Sequence, residues 1–317
     1  MNSRQLREEA DRACRKIFGD KVWLRALIEF SSHCVRSCRY CGLRRENRRA
    51  VRYRMTETEI LAAAEAAAGA GIGTVVLQSG DDPAYSSTDI CRLIEQIKRR
   101  SPSAAITLSV GERPLADYRD FRRAGADRYL LKFETANPEL YRRLHPAGSL
   151  SRRLEILSCL DDLGYEVGAG NIVGLPGQTA ADLDDDLALL ERLQPAMVGT
   201  GPFLPAAGTP LAESPPGEPE GALDFLARVR LALPQANLPA TTALGTQGRQ
   251  QQVQALGGGA NVLMVGFTPF DRAENYSIYD GRAGLGLAEA RRRAADAGKT
   301  ASGERGDSPA TARDFPH

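Results

Sequence analysis

What most constrains the fold is an alternation. Short apolar, β-branched runs recur along the 317-residue chain, separated by longer Ala- and Leu-rich stretches with helical spacing. The runs are 26–31 (ALIEFS), 73–78 (GTVVLQ), 105–110 (AITLSV), 128–133 (RYLLKF) and 166–173, with weaker ones near 197–200, 240–242 and 262–265. GTVVLQ lacks polar alternation, as expected of a parallel strand covered on both faces. Between the runs, Thr56 with Glu59 forms a capping box, and Ile60, Leu61, Ala64 and Ala67 or Ala68 mark a buried helical face. Ile90, Leu93, Ile94 and Ile97 repeat that spacing, as do Leu183, Leu187 and Leu190. Parallel strands need helical crossovers, and eight such units can close into an α/β (β/α)8 TIM-type barrel. A doubly wound open sheet alternates in the same way. The count of eight favours the barrel.

In a barrel, functional loops follow the strands. The polar clusters of this chain fall there: the cysteine-bearing stretch after the first run, QSGDDP after the second, GERP after the third, ETANP after the fourth and VGLPGQT after the fifth. Residues 1–281 are expected to form the barrel with an N-terminal helix. Residues 282–317 are expected to form a polar, partly disordered tail, with a solvated helix in its first half and a disordered end rich in Gly, Ser and Pro.

Lys+Arg (41) nearly balance Asp+Glu (40), so no global field attracts nucleic acid or an acidic membrane. The start, MNSRQLREEADRACRKIFG, is charged and lacks an apolar core, so no export signal is expected there. No apolar run is long enough to span a bilayer. A cytoplasmic setting is expected.

Three of the six cysteines, Cys34, Cys38 and Cys41, fall within eight positions, spaced C-x3-C-x2-C. In a chain of this length that is a metal or catalytic signature rather than a disulfide framework. Thiolates ligate iron–sulfur clusters and zinc. Three can hold three irons of a [4Fe–4S] cluster and leave the fourth iron open. The competing reading is a zinc site completed by His33 or a distant residue. His33 adjoins Cys34, which strains joint ligation of one ion, so it reads as a loop histidine. Cys14, Cys91 and Cys159 lie on helical stretches and read as packing residues.

The spacing, the aromatic Tyr40 before the last cysteine, the preceding strand and the βα pattern resemble the radical S-adenosylmethionine (SAM) superfamily. The match extends further. IEFSSHCVRSCRYCGLRREN, VVLQSGDDP, AGADRYLLKFETANPELYRRLHP, LGYEVGAGNIVGLPGQT, MVGTGPFLP and LPATTALGT, in that order between about residues 22 and 281, resemble HydE, the radical SAM maturase family of [FeFe]-hydrogenase. Methylornithine synthase and biotin synthase are relatives.

The resemblance implies a [4Fe–4S] cluster on Cys34, Cys38 and Cys41, and SAM chelating its open iron. It implies that Tyr40 offers a backbone group to adenine and that Ser79, Gly80 and Asp81 receive SAM's amino group. Glu134 and Arg153 would hold SAM's polar ends, with Ile172 and Val173 against adenine. A barrel-mouth salt bridge is the alternative for Glu134 and Arg153, and an ordinary buried strand for Ile172 and Val173. Thr241 and Thr242 would line a substrate cavity or bind an anion, and Tyr276 and Tyr279 would cap that cavity. The implied partners are a small-molecule substrate, an electron donor such as ferredoxin or flavodoxin, and other hydrogenase maturases. The implied activity is reductive SAM cleavage in hydrogenase cofactor assembly. A HydE-like enzyme rearranging or cleaving another small amino-acid-derived molecule, and a non-catalytic iron–sulfur or zinc protein, are the alternatives.

Three departures are visible. No cysteine follows Cys159, which excludes a second cysteine-held cluster near the C-terminus. Where the family carries Arg-His before the strand-four glutamate, this chain has Lys132-Phe133, and a histidine after strand six is Ala206. Lysine keeps the charge but loses the guanidinium fork. The six arginines Arg44, Arg45, Arg48, Arg49, Arg52 and Arg54 form a solvated or docking face, with no aromatic interleaving that would suggest nucleic acid.

Overall fold

A computed structural model describes residues 2–311. Helix α1 (Ser3–Phe18), capped by Asn2, leads into β1 (Lys21–Ser31). The βα units follow: α2 (Glu57–Gly69), β2 (Thr74–Ser79), α3 (Ser87–Arg100), β3 (Ala105–Ser109), α4 (Leu115–Ala124), β4 (Arg128–Leu130), α5 (Pro138–Leu144), α6 (Leu150–Asp162) and β5 (Glu166–Ala169). Then come β6 (Ile172–Val173), α7 (Ala180–Leu193), β7 (Met197–Val198), β8 (Gly201–Pro202), α8 (Pro219–Ala232), α9 (Thr242–Gln247), α10 (Arg249–Leu256), β9 (Val262–Gly266), α11 (Phe270–Ala273), α12 (Leu287–Asp296) and β10 (Thr300–Ser302).

Strands β1, β2, β3, β4, β5 and β7 are hydrogen-bonded in that order, all parallel, and β9 flanks β1 on its other side. The remaining gap is spanned by single bridges, Met197 with Asn237 and Pro239 with Val262. The barrel therefore closes, but its seventh strand is reduced to residues 237–239. The run expected at 240–242 instead supplies Thr241, the N-cap of α9, and Thr242, its first residue. Proline in this segment lacks the N–H that a full ladder needs.

The expected strand 166–173 also divides. After Ala169 the chain leaves the barrel sheet, and Ile172–Val173 pairs with β8 in a separate two-stranded ribbon. The main core is an apolar cluster between barrel and helices, built on residues such as Ile28, Ile60, Ile94, Ile106, Phe121 and Leu226, and a smaller one, Leu140, Leu144, Leu175 and Phe203, packs against Tyr40 and Ile172.

In the segment from 282 to 311 the first half forms the helix expected of it, and the part after the helix departs from the disordered end expected there. The segment carries α12, then β10 paired with residues 21–23 of β1, and then crosses the amino end of the barrel. The strand is only three residues long and weakly apolar, so it carries no periodic signal. Residues 312–317, the rest of that expected tail, lie outside the described residues.

Candidate active site at the carboxyl mouth

The loop after β1 folds back on itself. Ser31 bridges Arg54 in antiparallel fashion, and Gly42 N donates to Ile278 O (2.9 Å). The arginines of this stretch divide between two tasks. Arg52 turns inward and donates to the carbonyls of Leu43 (2.9 Å) and Arg44 (2.8 Å), and Arg54 forks onto buried Asp82 (2.7 and 2.9 Å). Arg45, Arg48 and Arg49 are exposed, with Arg39 and Val35.

This loop sits on the turn after β2, and glycine permits the contact. A Cβ on Gly80 would lie 2.3 Å from the His33 carbonyl oxygen and 2.6 Å from the Cys34 Cβ. Gly111, at φ 76°, leaves room for the Asp81 carboxylate, which a Cβ there would overlap. Asp81 pairs with Arg36 and accepts from Glu112 N (3.2 Å). Glu112 also takes Arg36 (3.3 Å) and Arg153 (2.8 Å), and Arg153 Nη1 donates to Lys132 O (2.5 Å). Burial works against the Arg153 charge, but Tyr141 and Glu112 hold its pKa above the ordinary value. Lys132 pairs with Glu134 (3.0 Å). Glu134 and Arg153 thus do not pair with each other; each has its own counter-ion.

Glu134 adopts φ 68°, a left-handed conformation that costs a residue bearing a side chain on the order of 1–3 kcal/mol. Such strain persists only where the surroundings over-determine it.

These groups meet in one cavity of about 400 Å³. Cys34, Cys38, Cys41, Tyr40, Ser79, Gly80, Asp81, Glu134, Arg153 and Ile172 line it. So do Thr241, Thr242, Tyr276 and Tyr279. Val173 does not; it is 4 % exposed and its side chain reaches toward Gly221 of α8. Successive residues of an extended segment face opposite ways, so only one of Ile172 and Val173 can line the mouth.

Burial raises the pKa of all three cysteines, with Cys38 pushed up to about 12 by burial and by Cys34. Protein groups alone therefore leave these thiols neutral, and a metal would have to hold them as thiolates. Cys34 Sγ accepts from Arg36 N (3.4 Å). Among the described residues no three His, Cys, Asp or Glu side chains enclose a single metal ion. Three thiols as a donor set suit an iron–sulfur cluster, whose irons are held by cysteine thiolates.

Several lining groups carry no motif signal. Glu29 at the end of β1 pairs with Arg282, and both side chains are almost fully buried. Burial pushes the Glu29 carboxyl up to about 6, against the pull of Arg282. Tyr40 Oη lies 2.9 Å from His145 Nε2, and burial together with Arg153 pushes that imidazole down to about 4, so it is neutral. Gln78 donates to Tyr276 Oη (3.3 Å). Only the folded chain reveals these pairs, since Glu29 and Arg282 are 253 residues apart. Ala206 is buried near this end, and His33 is half-buried in the loop. Cys14 is fully buried, while Cys91 and Cys159 are partly so.

A parallel barrel whose first loop carries three cysteines facing a charged cavity defines a class. The Radical SAM superfamily matches residues 28–190, just over half of the chain, and the chain belongs to it. It is a radical SAM enzyme, of a family that implies a [4Fe–4S] cluster and SAM.

Within the superfamily it belongs to the HydE family. It is 48% identical over 276 residues to the [FeFe] hydrogenase maturase subunit HydE of Thermotoga maritima, covering 86% of this chain and 78% of that one. It is 30% identical over 289 residues to 3-methylornithine synthase of Methanosarcina barkeri, covering 88% and 80%. The crystal structure of methylornithine synthase (PylB) superposes with a TM-score of 0.85 at 27% identity, over 95% of this chain and 89% of that one. The maturase HydG from Carboxydothermus hydrogenoformans shares the fold, with a TM-score of 0.80 at 22% identity over 95% and 72%.

Proposed function

We propose that Cys34, Cys38 and Cys41 hold the [4Fe–4S] cluster, and that SAM lies between the Ser79–Asp81 turn, Tyr40, Glu134, Arg153 and Ile172. The observation that carries this reading is the convergence of the three thiols with Asp81, Glu134 and Arg153 on one cavity. A cluster held by Cys34, Cys38 and Cys41 would supply, when reduced, the electron for the reductive cleavage of SAM. The chain's own contribution is placement. Asp81 offers a carboxylate to an ammonium group, and Arg153 offers a guanidinium to a carboxylate, from positions fixed by the Arg36–Glu112 network.

Thr241, Thr242, Tyr276 and Tyr279 bound the substrate half of the cavity, together with the Glu29–Arg282 pair. We assign the substrate to small molecules and the process to [FeFe]-hydrogenase maturation, in concert with other maturases. The electron donor is a ferredoxin or flavodoxin. Arg39, Arg45, Arg48 and Arg49, exposed on the cluster loop beside Val35 and Val51, suit an acidic carrier. Six free cysteines fit a reducing, cytoplasmic setting. Among the described residues no helix is long and apolar enough to cross a membrane.

Lys132 favours keeping a second reading, a HydE-like enzyme acting on another amino-acid-derived molecule. It lines the cavity in place of the arginine expected there. Two experiments test these readings. The protein, reconstituted anaerobically with iron and sulfide, is reduced with dithionite and supplied with SAM. It should form 5′-deoxyadenosine, and the Cys38→Ala protein should not. Turnover by Cys38→Ala would remove the cysteine assignment. Deleting the gene in a host with an [FeFe]-hydrogenase should abolish that hydrogenase's activity; an unaffected hydrogenase would favour the second reading.

A further inference from the structure

The loops after β4 and β5 are joined edge to edge. Glu134 N donates to Gly170 O (3.0 Å), Ile172 N donates to Glu134 O (2.9 Å), and Glu134 bridges Asn171. Glu134 and Ile172 line the cavity; the residue fastening their loops does not. Asp186, on α7, is fully buried behind them. Its Oδ1 accepts from Ala136 N (2.5 Å), two residues past Glu134. Its Oδ2 accepts from Asn171 Nδ2 (2.8 Å), the residue before Ile172, with Gln178 Nε2 at 3.5 Å.

We propose that Asp186 is a positioning residue for SAM: one buried carboxylate clamps both loops and so holds Glu134 in its left-handed conformation against Ile172. The proposal rests on the assignment of Glu134 to SAM made above. Each backbone or amide group facing Asp186 is a donor, so an acceptor-only carboxylate matches all of them. An amide of the same shape would set an N–H2 against one of those donors.

The test is SAM affinity, measured by equilibrium dialysis on anaerobically reconstituted protein, with cluster absorbance and unfolding midpoint recorded alongside. The proteins are wild type, Asp186→Asn, Glu134→Gln and the double variant. Asp186→Asn should weaken SAM binding on the order of tenfold with the cluster retained, the scale set by leaving a buried donor unpaired. The double variant should bind no more weakly than Glu134→Gln, because Asp186 acts through Glu134.

Wild-type SAM affinity in Asp186→Asn, with Glu134→Gln impaired, would overturn the clamp and leave the Glu134 assignment standing. Multiplied losses in the double variant would also overturn it, since Asp186 would then act independently. Normal binding by Glu134→Gln would remove the Glu134 assignment and the proposal with it. Should Asp186→Asn not fold, Asn171→Ala, which removes one clamped donor, should show the same loss to a smaller degree; unchanged binding there would overturn the proposal.

Discussion

The two ends of this barrel are built from the same charged residue types and use them differently. At the amino end, Arg128 is fully buried and saturated by the chain itself. It donates to Glu166 (2.8 Å), Thr74 Oγ1 (2.9 Å) and the Arg305 carbonyl (3.2 Å), and pairs with Asp307. Arg25 donates to the Gly306 carbonyl (3.3 Å), as does Asn237 Nδ2 (2.9 Å). Burial, with Arg128 nearby, pushes the Arg25 pKa down to about 9. Most of these acceptors come from one short segment, 305–307, which crosses the end of the barrel and closes it. At the carboxyl end, Arg36, Arg153, Lys132, Asp81, Glu112 and Glu134 pair with one another around a cavity. The lesson is that a buried arginine whose partners all lie in the packed end of the barrel holds the fold, whereas one whose partners rim a cavity is available to a ligand.

The contrast can be broken at either end. The largest effect is at the mouth: Cys38→Ala should abolish cluster binding, read as loss of visible absorbance after reconstitution, with the barrel still folded by circular dichroism. Next is the floor. Arg128→Ala strands Glu166 and costs roughly 3–5 kcal/mol of unfolding free energy, measured by denaturant titration. Asp81→Ala and Arg153→Ala should each weaken SAM binding tens-fold while sparing the cluster, at about 2 kcal/mol on the scale of charge-assisted hydrogen bonds.

The smallest effect sharpens the comparison inside the cavity. Burial raises Glu29 from 4.5 in the unfolded chain to about 6. The folded protein therefore holds this proton more tightly, and the carboxyl's contribution to stability falls as pH rises from about 4.5 through 6. Relative to Glu29→Gln, the wild type should lose on the order of 1–2 kcal/mol across that window. A flat difference would mean that Arg282 compensates the burial fully.

The sequence disclosed the two ends unequally. The mouth was readable because its chemistry is local: C-x3-C-x2-C, SGDDP and GNIVG are short stretches whose order along the chain already places them after successive strands. Val173, unlike its neighbour Ile172, turns away from the cavity because two adjacent residues of one extended segment face opposite ways. The floor was unreadable because its contacts are long-range. Arg128 meets Asp307 across 179 residues, and Arg25 meets Gly306 across 281. Gly303–Asp307 has the composition of a disordered tail, and only its backbone carbonyls and one carboxylate reveal its task. The last barrel strands were blurred for a related reason, since residues 237–239 contribute bridges rather than a ladder.

The most direct test of the two-ended account is SAM affinity in two matched variants, Arg153→Ala at the mouth and Asp307→Ala at the floor, each reconstituted anaerobically and dialysed against SAM. The account predicts that Arg153→Ala loses affinity and Asp307→Ala keeps the wild-type value while unfolding more easily. Equal losses of affinity in both, or a loss confined to Asp307→Ala, would contradict it.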